Sequence, residues 1–191
     1  MILVIDTSAA TAVIATIRDD GMISEISMPS RGPEFIAHLR HVASLKTITK
    51  VAVATGPGSF TGLRKGASFG LGLAMGLRIP IVPLPTLEIQ AARSDQPVTA
   101  ISEAGRGRFY WLEPGGQVAL GEPSDIPTGR QLVGNVSPGA EAALEKAGHR
   151  FNPKSRLRPL GAAAAQLLKT AREVPYGSLK LEYMQTFSAS R

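Results

Sequence analysis

The sequence lacks cysteine, and aromatic residues make up only 5% of its 191 residues. The absence of cysteine excludes disulfide bonds, thiolate metal sites and thiol nucleophiles. No apolar run reaches the roughly 18 residues that a membrane span requires. Met1 leads directly into an apolar run, without the basic segment of a secretory signal. We therefore expect a cytoplasmic protein with no membrane contact.

Recognisable catalytic patterns are also missing. His38 and His41 are close together in a predicted helix, but they lack the glutamate of a zinc-protease motif. Two imidazoles alone make a poor zinc site. His149 has no serine or aspartate motif beside it. We therefore predict that this chain holds no catalytic residue, no metal and no cofactor.

Glycine, by contrast, is abundant, with 20 residues beside 14 prolines. Gly62, Gly66 and Gly70 fall on one face of a predicted helix, and Gly72 and Gly76 fall on another. Each glycine inside a helix costs about 1 kcal/mol relative to alanine. Close approach of a neighbouring backbone would offset this cost. The neighbour is either the chain's own sheet or a helix of another subunit.

The hydrophobic pattern predicts an α/β fold with mixed sheets. Apolar runs at residues 2–5, 12–17 and 22–28 predict an antiparallel meander of three strands. Helices and buried strands then alternate, which is typical of helical crossovers. The further predicted strands are at residues 51–54, 79–84, 98–102, 108–112, 118–120 and 132–136, with a strand-like tail at 180–187. Two helices are predicted to begin near residues 33 and 86. Three more are predicted at residues 62–77, 139–147 and 160–173.

The formal net charge is +6. The lysines and arginines are scattered, and no run of five or more occurs. This pattern favours a solvated surface with a positive bias, with a nucleic-acid or acidic partner as the alternative.

Two segments carry the candidate chemistry. The first segment, which follows the first strand, is Asp6, Thr7 and Ser8. A carboxylate and hydroxyls at this position can hold hydrated Mg²⁺ or contact phosphate. The alternative is a turn whose side chains bond its own backbone. The loop at residues 56–62 precedes a helix N-terminus, which can bind an anion. The spacing of its glycines matches neither the P-loop nor the dinucleotide fingerprint. The alternative to an anion site is a rigid strand-to-helix connector, with a serine or threonine as the helix N-cap.

These two segments, residues 2–8 and the string GPGSFTGLR at 56–64, resemble the TsaB (YeaZ) family. Residues 76–80 and 85–88 also match the family, whereas residues 103–110 match it loosely, with Glu103 in place of an aspartate. The resemblance implies a two-lobed actin/Hsp70-like (RNase H-like) fold with a reduced second lobe. We expect lobes at residues 1–95 and 96–191.

The resemblance also implies a function. TsaB proteins are non-catalytic scaffold or activator subunits in the N6-threonylcarbamoyladenosine modification of tRNA. They bind the catalytic paralogue TsaD, on which ATP and metal are expected, and a TsaE-like ATPase and tRNA join the complex. A homodimer is also expected. The alternatives are a nucleotide-binding ATPase-like protein, an M22-type glycoprotease, or a subunit that itself binds tRNA.

Three groups of site residues follow from these arguments. A vestigial nucleotide cleft is expected at Asp6, Thr7, Ser8 and Glu103. The family-motif loop comprises Gly56, Pro57, Gly58, Ser59, Phe60, Thr61, Gly62 and Arg64. The partner interface is predicted at Phe35, Leu39, Val42, Gly66, Gly70 and Leu73.

Overall fold

The structure, a computed structural model, describes residues 1–44 and 47–182. Its first sheet is built from β1 (Ile2–Asp6), β2 (Thr11–Ile17), β3 (Ile23–Pro29), β4 (Lys50–Ala54) and β5 (Ile81–Leu84). The strand order is β3-β2-β1-β4-β5. The first three strands form an antiparallel meander, whereas β4 runs parallel to β1 and β5 runs parallel to β4. The predicted meander and both buried strands are confirmed.

Helices cover both faces of this sheet. The helices are α1 (Pro33–Ser44) and α2 (Phe60–Leu77) on one face, and α3 (Thr86–Ala91) and α5 (Leu160–Leu167) on the other. Successive strand residues alternate between the faces. Leu3 and Ile5 therefore pack with α1 and α2, while Val4 packs with α3 and α5. Because both faces are covered, β1 and β4 are continuous apolar runs.

A second sheet is built from β6 (Thr99–Gly105), β7 (Arg108–Leu112), β8 (Ala119–Gly121) and β9 (Leu132–Gly134), in the order β8-β7-β6-β9. Helix α4 (Pro138–Lys146) packs on it through Leu144, which joins a core that contains Ile101 and Phe109. The mixed α/β architecture follows the prediction. The lobe boundary near residue 95 stays a prediction, and α5, although late in the chain, packs on the first sheet.

The last part of the chain departs from its predicted elements. Helix α5 ends at Leu167 instead of extending to residue 173. The chain leaves the helix because Val174 pairs with the edge of β5, where its amide donates to the Ile81 carbonyl at 3.0 Å. Of the strand-like tail, residues 183–187 lie outside the described residues.

Across residues 1–44 and 47–182, the structure contains no helix with both the length and the apolar character of a membrane span.

Candidate functional site

The two candidate segments meet at the carboxyl ends of β1 and β4. The Ser59 amide donates to the Ser8 carbonyl at 2.7 Å, and the Thr7 hydroxyl donates to the Gly62 carbonyl, also at 2.7 Å. Within the turn, the Ser8 amide donates to Asp6 Oδ1 at 2.8 Å. The turn therefore bonds both its own backbone and the loop, so the polar groups named here have partners within the chain.

The glycines of the loop allow this close contact. A Cβ atom on Gly58 would lie 2.6 Å from the Ser8 carbonyl oxygen, and one on Gly62 would overlap the Thr7 carbonyl oxygen. Gly56 has a φ of +113°, a conformation that residues with a side chain rarely adopt. Gly58 and Gly62 are therefore required by backbone packing against residues 7–8.

The helix after the loop begins two residues earlier than predicted. Ser59 is its N-cap, and the Ser59 hydroxyl accepts from the Gly62 amide at 3.3 Å. The predicted serine or threonine cap is thus Ser59, while Thr61 lies exposed in the first turn. On the other side of the loop, the Gly56 amide donates to the Thr86 hydroxyl at 3.1 Å. The loop is therefore fixed at both ends.

A cavity of about 660 Å³ lies between the loop and the second sheet. Ser8 and Glu103, both predicted for the cleft, line it together with Gly58, Ser59 and Phe60 of the loop. Asp6 and Thr7 are buried, and neither is among the residues that line the cavity. The structure thus brings Ser8 and Glu103 into one cavity and leaves Asp6 outside it.

The environments of the two carboxylates differ. Burial raises the pKa of the Asp6 carboxyl, against the smaller opposing effects of its hydrogen bonds with Ser8 and of the Arg93 charge. Glu103 accepts a 2.5 Å hydrogen bond from the amide of Ser137, the N-cap residue of α4. Glu103 thus anchors a helix N-terminus, where a carboxylate is stabilising. Among the described residues, no group of three potential metal ligands lies close together.

Several contributors to this region were not predicted. The Ser102 hydroxyl donates to the Pro57 carbonyl at 3.1 Å, and the Asn135 side-chain amide donates to the Thr11 carbonyl at 3.3 Å. Both bonds tie the second sheet to the first. The remaining unpredicted residues that line the cavity are Ala9, Ala10, Pro29, Ser30, Arg31, Ala104, Gly105, Tyr110, Asn135, Ser137 and Glu182. No sequence pattern marked them, because they come from separate segments that only the fold brings together.

The predicted partner interface requires a correction. Phe35, Leu39 and Val42 are buried in the core beneath α1, so they are not available to another protein. Gly66 and Gly70 face the chain's own sheet, where a Cβ atom would overlap the Thr7 hydroxyl and the Val53 side chain. Leu73 is half-buried against the same core. Of the two neighbours considered for these glycines, the chain's own sheet is the correct one.

The opposite face of α2 is exposed. The exposed fractions of Phe60, Met75 and Leu77 are 43%, 52% and 38%. A Cβ atom on Gly72 or Gly76 would meet no atom within 4 Å. Leu77, seven residues after Gly70, lies on the inner side and is exposed at the last position of α2. We call the other four residues the outer face of α2.

The fold places the chain in a known class. It matches YeaZ from Pseudomonas aeruginosa with a TM-score of 0.68 and 20% identity over 96% of this chain and 99% of that one. It also matches another structure, described as an uncharacterized protein with similarity to peptidase YEAZ from Pseudomonas aeruginosa, with a TM-score of 0.69 and 21% identity. The chain therefore has the actin/Hsp70-like (RNase H-like) fold that the sequence predicted.

Comparison of sequences then gives the family. The model of the family described as TsaD, tRNA N6-adenosine threonylcarbamoyltransferase, matches residues 37–135. The TsaB protein of Bacillus subtilis (strain 168) is 36% identical over 120 residues, which are 57% of this chain and 52% of that protein. The TsaB protein of Escherichia coli (strain K12) is 37% identical over 75 residues, 37% of this chain and 32% of that protein.

The chain therefore belongs to the TsaD family, and its relatives named TsaB agree with the resemblance that the motifs predicted. The matched region spans about half the length of the B. subtilis relative and about a third of the E. coli relative.

Proposed function

We propose that this chain is a non-catalytic subunit in the N6-threonylcarbamoyladenosine modification of tRNA, and that it acts by docking on a catalytic TsaD-like paralogue. The names of its TsaB relatives support the pathway. The observation that carries the docking role is the outer face of α2, which exposes large apolar side chains. A TsaE-like ATPase and tRNA would join through the complex.

The candidate cleft supports a non-catalytic role. Several of its hydrogen-bonding groups have partners within the chain: Ser59 bonds Ser8, Ser8 bonds Asp6, and Glu103 bonds Ser137. An active site instead presents donors and acceptors to the reacting group. Asp6, the one carboxylate at the end of β1, is buried and does not line the cavity.

Reconstitution of the reaction tests the role directly. The modification of tRNA would be measured with the TsaD-like and TsaE-like proteins, in the presence and absence of this chain. We expect product only with the chain present, and equal product with the Asp6→Asn variant. Loss of product with Asp6→Asn, in a variant that stays folded, would show that Asp6 takes part in catalysis and would contradict the non-catalytic role.

The docking surface has its own test. Met75→Glu places a charge on the outer face of α2, and Gly72→Leu blocks close approach of a partner backbone. We expect both to abolish co-purification with the TsaD-like protein while the chain stays folded. Met22→Glu is a matched control, because Met22 is also exposed, at 59%, but lies just before β3. Retained co-purification with both α2 variants would exclude this surface.

One observation favours a second candidate, a nucleotide-binding ATPase-like protein. The cavity of about 660 Å³ is within the range of small-molecule sites. Calorimetric titration of the isolated chain with Mg-ATP distinguishes the two. We expect no tight binding under the docking proposal, and tight, Mg-dependent binding would favour the ATPase-like alternative.

A further inference from the structure

The outer edges of the two sheets differ in how they are covered. At the edge of β5, the Val174 amide donates to the Ile81 carbonyl, and Pro83 has no amide to offer. Strand β9 is paired at Leu132 with Phe151, and β8 has only three residues. Among the described residues, β3 alone has a long edge without such protection.

Strand β3 presents backbone hydrogen-bonding groups along this edge. At the two ends of its pairing with β2, the Arg18 amide donates to the Met22 carbonyl at 2.9 Å, and the Ser30 amide donates to the Ala10 carbonyl at 2.8 Å. Antiparallel pairing alternates, so every second residue of β3 bonds β2 and the residues between them point outward. The exposed residues whose amides and carbonyls point outward are Ile23, Glu25 and Ser27.

The features that usually protect a free edge are weak in β3. Its register with β2 is continuous over seven residues, so no bulge turns the edge away. Pro29 occupies only the last position, and the strand contains no lysine. Its one charge, Glu25, lies against α5, where the carboxylate accepts from the Gly161 amide at 2.6 Å. A free edge of this kind is a template for pairing with another extended chain.

The side chains beside this edge differ between its two faces. Successive residues alternate, so Met22, Ile26 and Met28 share the side of α1. Met28 is buried in the core, whereas Met22 and Ile26 are 59% and 40% exposed. On the other side, Ile23 and Glu25 lie beside the start of α5. A segment that pairs with β3 would therefore contact apolar side chains on one face and a carboxylate on the other.

A second copy of this chain fits the edge poorly. Antiparallel self-pairing that uses all three outward residues places Glu25 directly opposite its own copy. Side chains in that position lie about 5 Å apart, and like charges there are destabilising. A register shifted by two residues separates the carboxylates, but it leaves one outward residue of each copy incompletely paired. The edge therefore favours a segment with a different sequence.

We propose that the edge of β3 is a docking site for an extended segment of a different protein, which adds a strand to the first sheet. The segment carries a lysine or arginine opposite Glu25, and apolar residues toward Met22 and Ile26. Backbone hydrogen bonds supply the affinity, and the alternating side chains supply the specificity. The site is separate from the outer face of α2, so the proposal does not rest on the proposed function.

Peptide titration followed by NMR tests the site on the intact chain. The probe is the capped heptapeptide Val-Thr-Val-Lys-Val-Thr-Val, and the matched control peptide has glutamate in place of lysine. We expect the lysine peptide to bind about fivefold tighter at low salt. It should also protect the amides of Ile23, Glu25 and Ser27 from hydrogen exchange. The amides of Ser24 and Ile26, which point toward β2, should be protected with and without peptide.

Two variants separate the charge from the backbone pairing. Glu25→Gln keeps an acceptor for the Gly161 amide and should make the two peptides bind equally. Asp19→Asn is its matched control, an exposed acid in the neighbouring turn, and should leave the preference for lysine unchanged. Ser27→Pro removes an outward amide and no bond to β2, and should weaken binding of the lysine peptide about fivefold. Glu25→Gln decides the test if Ser27→Pro does not fold.

Three outcomes would overturn the proposal. The first is no new protection of the outward amides with either peptide, and the second is equal binding of the two peptides by the wild type. The third is self-association of the wild type that Ser27→Pro abolishes in analytical ultracentrifugation, since that would assign the edge to a second copy. No readout uses the TsaD-like protein, so failure here leaves the proposed function standing, and failed co-purification leaves the edge of β3 standing.

Discussion

The two faces of α2 carry the same unusual residue for different reasons. On the inner face, Gly62, Gly66 and Gly70 lie against β1, β4 and the turn after β1, where any Cβ atom would overlap Thr7 or Val53. On the outer face, a Cβ atom added to Gly72 or Gly76 would meet no atom within 4 Å. Packing within the chain therefore explains three glycines and leaves two unexplained.

The inner face of α2 therefore serves folding, and the outer face serves the proposed docking. The inner glycines offset their cost in helix propensity by letting α2 lie directly on the sheet. The outer glycines have no such compensation among residues 1–44 and 47–182, although each costs about 1 kcal/mol relative to alanine. We attribute them to the proposed partner.

The largest effect is expected from Gly62→Ala on the inner face. The new Cβ would overlap the Thr7 carbonyl oxygen, a backbone atom that cannot move without shifting the turn after β1. We expect the free energy of unfolding to fall by about 3 kcal/mol. Urea denaturation measures it, with Gly76→Ala as the matched control. Equal stability of the two variants would contradict the assignment of the faces.

Gly66→Ala and Gly70→Ala should have a smaller effect than Gly62→Ala. Their Cβ atoms would meet side-chain atoms, the Thr7 hydroxyl and the Val53 methyl group, which have some room to adjust. After the gain in helix propensity, we expect a net loss of about 2 kcal/mol for each, measured by the same denaturation. A loss as large as that of Gly62→Ala would mean that these side chains cannot adjust.

Thr7→Val tests the hydrogen bond that joins the turn to α2. The variant keeps the shape of the side chain but removes the buried bond to the Gly62 carbonyl. We expect a loss of about 1.5 kcal/mol in the free energy of unfolding. Thr61→Val, on the exposed side of the first turn, is the control and should change stability little. An unchanged stability for Thr7→Val would show that the bond contributes nothing net.

The smallest effect on stability, and the only gain, is expected from Gly72→Ala and Gly76→Ala. Each should raise the free energy of unfolding by up to about 1 kcal/mol, because alanine favours the helix and has room. If a partner backbone packs there, the same variants should weaken capture of the TsaD-like protein in a pull-down titration. Greater stability with unchanged capture would remove the docking explanation for these glycines.

Much of the fold was predictable from the sequence. The meander, the strands β4 and β5, and helix α2 follow from apolar periodicity and from turn residues, which are local signals. Helix α5 was predicted too long because its end is set by a non-local contact, the pairing of Val174 with Ile81. The apolar and alanine-rich pattern of residues 160–173 contains no sign of that contact.

The candidate site was predictable only in part. The motif loop and residues 6–8 were identified, and their meeting follows from the parallel pairing of β1 and β4. The interface prediction placed Phe35 and Gly66 at a surface, because helical periodicity shows that residues share a face but not which neighbour covers it. The bonds of Ser102 and Asn135 that join the two sheets had no local signal.

The sequence by itself determined the family, the order of elements and the glycine pattern of α2, since these depend on local spacing and residue type. Tertiary structure alone decided which glycines are covered and which are open. It also decided that Asp6 lies outside the cavity and that part of α2 is an exposed apolar face. The physical reason is that burial and charge environment depend on contacts between distant segments, and those contacts exist only once the sheets have formed.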